Sequence, residues 1–98
     1  MRKSHKVESI VNILSYLDSV NRFRLIRFSN LTDKEKQLLI LRYCRGLDWK
    51  EISYIHGFIF GTDCLNKKHK KTCEKMYEWL IKSKYIETRE LDYLRVFL

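Results

Sequence analysis

Thr32 and Glu35 stand three residues apart, and so do Asp48 and Glu51. In each pair the first side chain can accept from the backbone N–H of the second, whose carboxylate can reach back to the first residue's N–H. Two helix starts are therefore set by local chemistry, and any fold has to accommodate both. Gly46 lies between them and can take the left-handed conformation that ends the first helix without a Cβ clash. With no proline and three glycines in 98 residues, the chain has few other places to turn sharply. A sheet protein of this size needs many more. The expected fold is all-α, a compact bundle of four to five helices containing a helix-turn-helix, in one domain over residues 1–98.

Residues 5–28 form the expected N-terminal support. Val7, Ile10, Val11, Leu14, Leu17 and Val20 make one apolar stripe at spacings of mostly three or four. Asn21 interrupts it, and Phe23, Leu25, Ile26 and Phe28 then interleave with Arg22, Arg24 and Arg27. Residues 22–28 continue the helix through a kink or make a second one. The stripe either closes the core or serves as a homodimer seam with a basic edge.

In the helix after Thr32, Leu38, Leu39, Leu41 and Tyr43 read as the buried side. Asp48 caps the next, with Trp49 and Ile52 inward and Gly57 as its stop. Residues 58–61 read as an apolar connector tucked against the core. Thr62 or Asp63 then caps a long helix whose inward face is Leu65, His69, Thr72, Cys73, Met76 and Leu80. The expected core of the motif, residues 31–80, is Leu38, Leu41, Trp49, Ile52, Leu65, Cys73, Met76 and Leu80. Residues 85–98 suggest a C-terminal packing helix or a short wing, with 91–98 a second candidate dimer surface.

The net charge of +8 is unevenly spread. Residues 1–30 carry six basic against two acidic side chains and residues 62–75 five against two, whereas 76–98 are balanced at four each. Positive charge gathered on one helix suggests a polyanionic partner. No apolar run is long enough to span a membrane and no signal-peptide pattern opens the chain, so a cytoplasmic protein is expected, in a bacterium or an infected host cell. Three cysteines without framework spacing fit a reducing compartment. Cys64, His69 and Cys73 invite a test as metal ligands, but a closed zinc site wants four, normally with a tight cysteine pair. No metal or other cofactor is expected. No nucleophile comes with an identifiable base, so no enzyme is expected either.

The run Leu31-Thr32, Leu41-Arg42-Tyr43, Gly46-Leu47, Trp49 and Glu51-Ile52, followed by Lys70-Lys71-Thr72-Cys73-Glu74-Lys75-Met76, resembles the helix-turn-helix of sigma-factor region four. It is also similar to the small ArpU/RinA-like phage and prophage transcriptional regulators that share that module. The resemblance covers about half the chain. It departs from the pattern at His56–Thr62, where the turn is longer, and the other sigma domains are missing. It implies a small transcriptional regulator that binds double-stranded DNA, with RNA polymerase or another protein as a further contact.

A helix of this kind fits the major groove, with its outward side chains at the bases and phosphates. Asn66 and Lys67 are the first candidates for reading bases and Asp63 the third. Lys50, Thr62, Lys70 and Lys71 are the candidates for phosphate. The rival reading is a non-enzymatic adaptor or structural protein that binds a phage, host or polymerase protein through its helical surface, with the lysines only solvated.

Overall fold

The computed structural model describes residues 5–55, 58 and 61–82. Five α-helices account for most of them, and no strand occurs among the described residues. They are α1 (His5–Tyr16), α2 (Ser19–Phe28), α3 (Asp33–Leu39), α4 (Trp49–Ile52) and α5 (Thr62–Lys82). The all-α expectation holds. The expected C-terminal helix or wing, the dimer surface at 91–98 and the stop at Gly57 lie outside the described residues.

Both capping boxes form. Glu35 N–H donates to Thr32 Oγ1 at 3.2 Å, and Thr32 N–H to Glu35 Oε1 at 2.8 Å. At α4, Glu51 N–H donates to Asp48 Oδ1 at 2.8 Å, and Asp48 N–H to Glu51 Oε1 at 3.1 Å. A sequence pattern that satisfies otherwise orphaned N–H groups fixes where these helices begin.

The N-terminal stripe is not one helix. It breaks at Leu17 and Asp18, three to four residues before the expected interruption at Asn21. Asp18 caps α2 by accepting from Asn21 N–H at 2.8 Å. Asn21 therefore helps to start a helix, and Val20, expected on the stripe, is 60% exposed. Arg22 ties the break together, donating to the Leu17 carbonyl at 2.8 Å and to the Tyr43 carbonyl.

At its C-terminal end α3 widens into a π-helical turn, Ile40–Cys44. Arg45 N–H donates to the Ile40 carbonyl at 3.0 Å and Leu47 N–H to the Leu41 carbonyl at 3.1 Å. Gly46 then reverses the chain at φ 70°, as its place in the sequence predicts.

Two apolar clusters hold the bundle. The larger joins Val7, Ile10, Ile13 and Leu14 of α1 and Leu25 and Ile26 of α2 to Leu39 and to Cys73, Met76 and Leu80 of α5. The α1–α5 packing is the most extensive between any two helices. With α2 and Leu39 it covers Val7, Ile10 and Leu14, so the first part of the candidate dimer seam is taken up inside one chain, while Val20 at its end stays exposed. The smaller cluster joins Leu38, Leu41, Ile52 and Phe58 to Leu65 near the start of α5. Of the expected core, Trp49 alone is only half-buried: it packs at the margin of this cluster, its ring 4.7 Å from the Arg42 guanidinium. A planar cation over an indole face is favourable and keeps that face near water.

Candidate nucleic-acid interface

At 21 residues, α5 is about 30 Å long. Its apolar positions are spread along one side, so burying them sets which side faces out. Leu65, Thr72, Cys73, Met76 and Leu80 are buried, and Asp63, Asn66, Lys67, Lys70 and Lys71 are exposed. Both sets match the sequence expectation. Lys67, Lys70 and Lys71 have no ion pair among the described residues.

The start of α5 differs from the expectation. The Gly61 carbonyl accepts from Leu65 N–H at 3.1 Å, so Gly61 occupies the cap position and Thr62 and Asp63 lie in the first turn. A glycine costs little there, since the carbonyl alone closes the first helical bond. Asp63 keeps a favourable place near the helix N-terminus. Asn66 is turned back on its own helix, its Nδ2 donating to the Thr62 carbonyl at 3.1 Å. That bond uses one of the two Nδ2 protons and sets the orientation in which the other and Oδ1 are presented. Lys50, the remaining phosphate candidate, is exposed on α4.

Lys75 belongs to the fold more than to the surface. It reaches across to α3 and pairs with Glu35 Oε1 at 3.0 Å. Burial pushes the Glu35 carboxyl up, but the Thr32 N–H and hydroxyl and the Lys75 ammonium outweigh it and hold the group below its ordinary value. At the other end of α5, Lys6 pairs with Glu78 across the α1 contact, which holds the Glu78 carboxyl down.

His69 sits where the two clusters meet. Its Nε2 lies 2.6 Å from the Tyr43 hydroxyl and 3.4 Å from Cys73 Sγ, with the Trp49 ring edge-on at 5.0 Å. Burial pushes the Tyr43 phenol well above its ordinary value, so the hydroxyl keeps its proton. Cys64, the third suggested metal ligand, is exposed, while Cys73 is buried. No group of three His, Cys, Asp or Glu side chains placed to hold a metal occurs among the described residues.

A feature the sequence did not point to lies between α3 and α5. A cleft of about 330 Å³ is lined by Thr32, Lys34, Glu35, Leu38, Phe58, Lys68, Lys71 and Thr72. The Lys34 ammonium stands 5.7 Å from the centre of the Phe58 ring. Lys68 is one turn before Lys71, a local spacing that could have linked the two. Nothing in the sequence links Lys34 to either.

Neither protein-family models, nor curated proteins, nor solved structures yield a match to this chain.

Proposed function

We propose that this chain is a non-enzymatic, sequence-specific binder of double-stranded DNA that inserts α5 in the major groove, and that it acts as a small transcriptional regulator. The observation that carries the proposal is the ridge of Lys67, Lys70 and Lys71 on α5, exposed and without an ion pair among the described residues. The buried side of the same helix is anchored in both clusters, which fixes the side on which the ridge is presented. A helix presenting cations and an amide suits groove docking, since phosphate contacts position and base contacts specify. The resemblance to sigma region four and the ArpU/RinA-like regulators agrees with this reading and belongs to the proposal, as does a cytoplasmic setting. No helix among the described residues is long and apolar enough to cross a membrane.

The test is a binding titration of fluorescent duplexes selected from a random pool, repeated with duplex RNA and single strands at several salt concentrations. Replacing Lys70 and Lys71 with alanine is expected to weaken all duplexes alike and to flatten the salt dependence by somewhat under one unit per lost contact. Replacing Asn66 or Lys67 is expected to cost the selected site about 1–3 kcal/mol of discrimination while nonspecific binding is nearly kept. Equal small losses on every sequence would remove Asn66 and Lys67 as readers. No loss at all would sink the DNA reading.

A specific observation favours the second reading, a protein-binding adaptor. Tyr16, Val20, Phe23 and Phe28 are large apolar side chains left exposed on and beside α2, together with exposed Arg24 and Arg27. Aromatic and arginine side chains are enriched at protein interfaces. A polymerase subunit or a second copy of this chain would be candidate occupants, and light scattering separates the second copy from the rest.

A further inference from the structure

Leu25 and Ile26 anchor α2 in the larger cluster, so the opposite side of that helix faces away from the core. At about 100° per residue the outward arc runs Phe23, Arg27, Val20, Arg24, Phe28, and all of these are exposed. The two arginines thus lie between the two phenylalanines. Phe23 is 45% and Phe28 74% exposed, which leaves much of each ring open to a partner. Arg24 and Arg27 have no ion pair among the described residues, whereas Arg22 is taken up by two carbonyls. No residue of α2 is acidic, and Asp18 at its N-terminus is engaged by Asn21. Lys36 brings a further cation to the C-terminal end of α2, where its ammonium donates to the Arg27 carbonyl at 2.8 Å.

An occupant should be anionic and should offer flat apolar faces on either side of its charge. A second copy of this chain fails the first condition, since pairing two such faces sets arginines against arginines. One step of a nucleic-acid strand meets both, with a phosphate between two bases. Phe23 and Phe28 are five residues apart, or about 7.5 Å along the helix axis. That is about double the ~3.4 Å repeat of stacked bases in a duplex strand, so the two rings suit neighbouring bases that have come unstacked. Aromatic rings hold such bases by stacking, whatever their sequence. Valine, phenylalanine and arginine side chains include no hydrogen-bond acceptor for a 2′-hydroxyl, the group by which proteins select RNA. We propose that the outward face of α2 binds single-stranded DNA, with Phe23 and Phe28 stacking on two bases and Arg24 and Arg27 meeting the phosphate between them. This site goes beyond the duplex reading of α5 and does not depend on it. It gives the exposed α2 face an occupant other than a protein partner.

The experiment titrates the full chain with fluorescent oligodeoxycytidylate, with oligocytidylate and a mixed-sequence duplex in parallel, each at several salt concentrations. Melts of every variant establish folding, which substitutions at exposed positions should leave intact. Phe28→Ala is expected to weaken single-strand binding by roughly 5- to 150-fold, the equivalent of one lost stacking contact, and to leave duplex affinity unchanged. Phe28→Trp is expected to keep or tighten binding. Phe28→Leu, which keeps an apolar side chain without a flat face, is expected to fail like Phe28→Ala. Replacing Arg24 and Arg27 together with alanine is expected to flatten the slope of log affinity on log salt by about 0.7, the single-strand value for one phosphate. Replacing Arg45 and Lys82, exposed cations elsewhere, removes the same charge and is expected to change the slope little. Equal flattening by the two pairs would mean that only net charge matters, and the site falls. Wild-type affinity in Phe28→Leu would make the face an apolar contact and overturn the base platform. Equal losses on the duplex would assign the face to duplex docking, tighter binding of oligocytidylate would assign it to RNA, and either result overturns the proposal. A wild-type chain that binds duplex but no single strand would overturn it and leave the α5 reading standing. One that binds the single strand alone would keep this site and sink the α5 reading. Light scattering that shows a dimer, lost in Phe28→Ala, would hand the face to a second copy.

Discussion

The two halves of α5 are embedded differently. Its second half is a pillar of the larger cluster, where Cys73, Met76 and Leu80 meet α1 and packed side chains surround them. Its first half rests on the smaller cluster, where Leu65 meets short segments: one turn of α4, the end of α3 and Phe58. The second half fixes where the helix lies. The first half bears most of the exposed lysines and presents them over a thinner base. Local stability is set by contact density, so the presenting half should open more readily than the pillar.

That contrast can be broken most forcefully at the pillar. Leu80→Ala should lower stability toward the upper end of the roughly 2–5 kcal/mol typical of buried leucine truncation, a large share of a small domain's total. A thermal melt checks it, and protection from amide exchange should fall in α1 and α5 together. If only α5 loses protection, the pillar and α1 are less coupled than their packing indicates.

At the thinner base, Trp49→Ala should cost less, about 1–2 kcal/mol, because the ring is only half-buried and part of its packing is with a solvated arginine. Amide exchange should quicken in α4 and the first turns of α5 while α1 stays protected. Loss of protection throughout would mean that the two clusters open as one.

Gly46→Ala probes the reversal between α3 and α4. No atom lies within 4 Å of where a Cβ would be, so the cost comes from the backbone alone, at φ 70°. About 1 kcal/mol is expected, or a fall in melting temperature of roughly 4–8 °C for a domain of this size. A neutral result would show that the reversal relaxes without the left-handed conformation.

The smallest effect is expected from Glu35→Gln, which keeps a capping side chain but removes the charge facing Lys75. Both partners are partly exposed, so about 0.5 kcal/mol is expected near neutral pH. The Glu35 carboxyl is held below its ordinary value of 4.5, so its contribution is complete above that value and is lost as pH falls through the depressed one. The gap between wild type and variant should therefore close on acidification below about pH 4.5. A gap that persists there would assign the effect to shape and not to charge.

What the sequence made legible was mostly local. The two capping boxes and Gly46 obey rules that span four or five residues, and α5 sorts its faces by a period that its length makes hard to miss. The misses came from choices between competing partners. Asn21 reads as a breaker, and only the bond from its N–H to Asp18 shows that it lies in the first turn of a helix that Asp18 caps. Trp49 reads as core until Arg42 claims one of its faces. The N-terminal stripe could close the core or meet a second copy, and only the packing of α1 on α5 shows that its first half joins the core. In the candidate interface, the lysines of α5 were visible as a helical face. The cleft was not, because Lys34 comes to it from another helix.

The π-helical turn Ile40–Cys44 has a bearing on how this chain tolerates changes in length. Such a turn places one more residue in each hydrogen-bonded ring than an α-helix does. Deleting one residue there would let ordinary helical bonding run through to Gly46. Because the wide turn already absorbs its extra residue, the downstream chain would keep nearly its present phase, with Leu47 and Trp49 still against the smaller cluster. The turn thus acts as slack: one residue can leave it without the next two helices losing their places, whereas a deletion in the regular part of α3 would rotate them by about 100°.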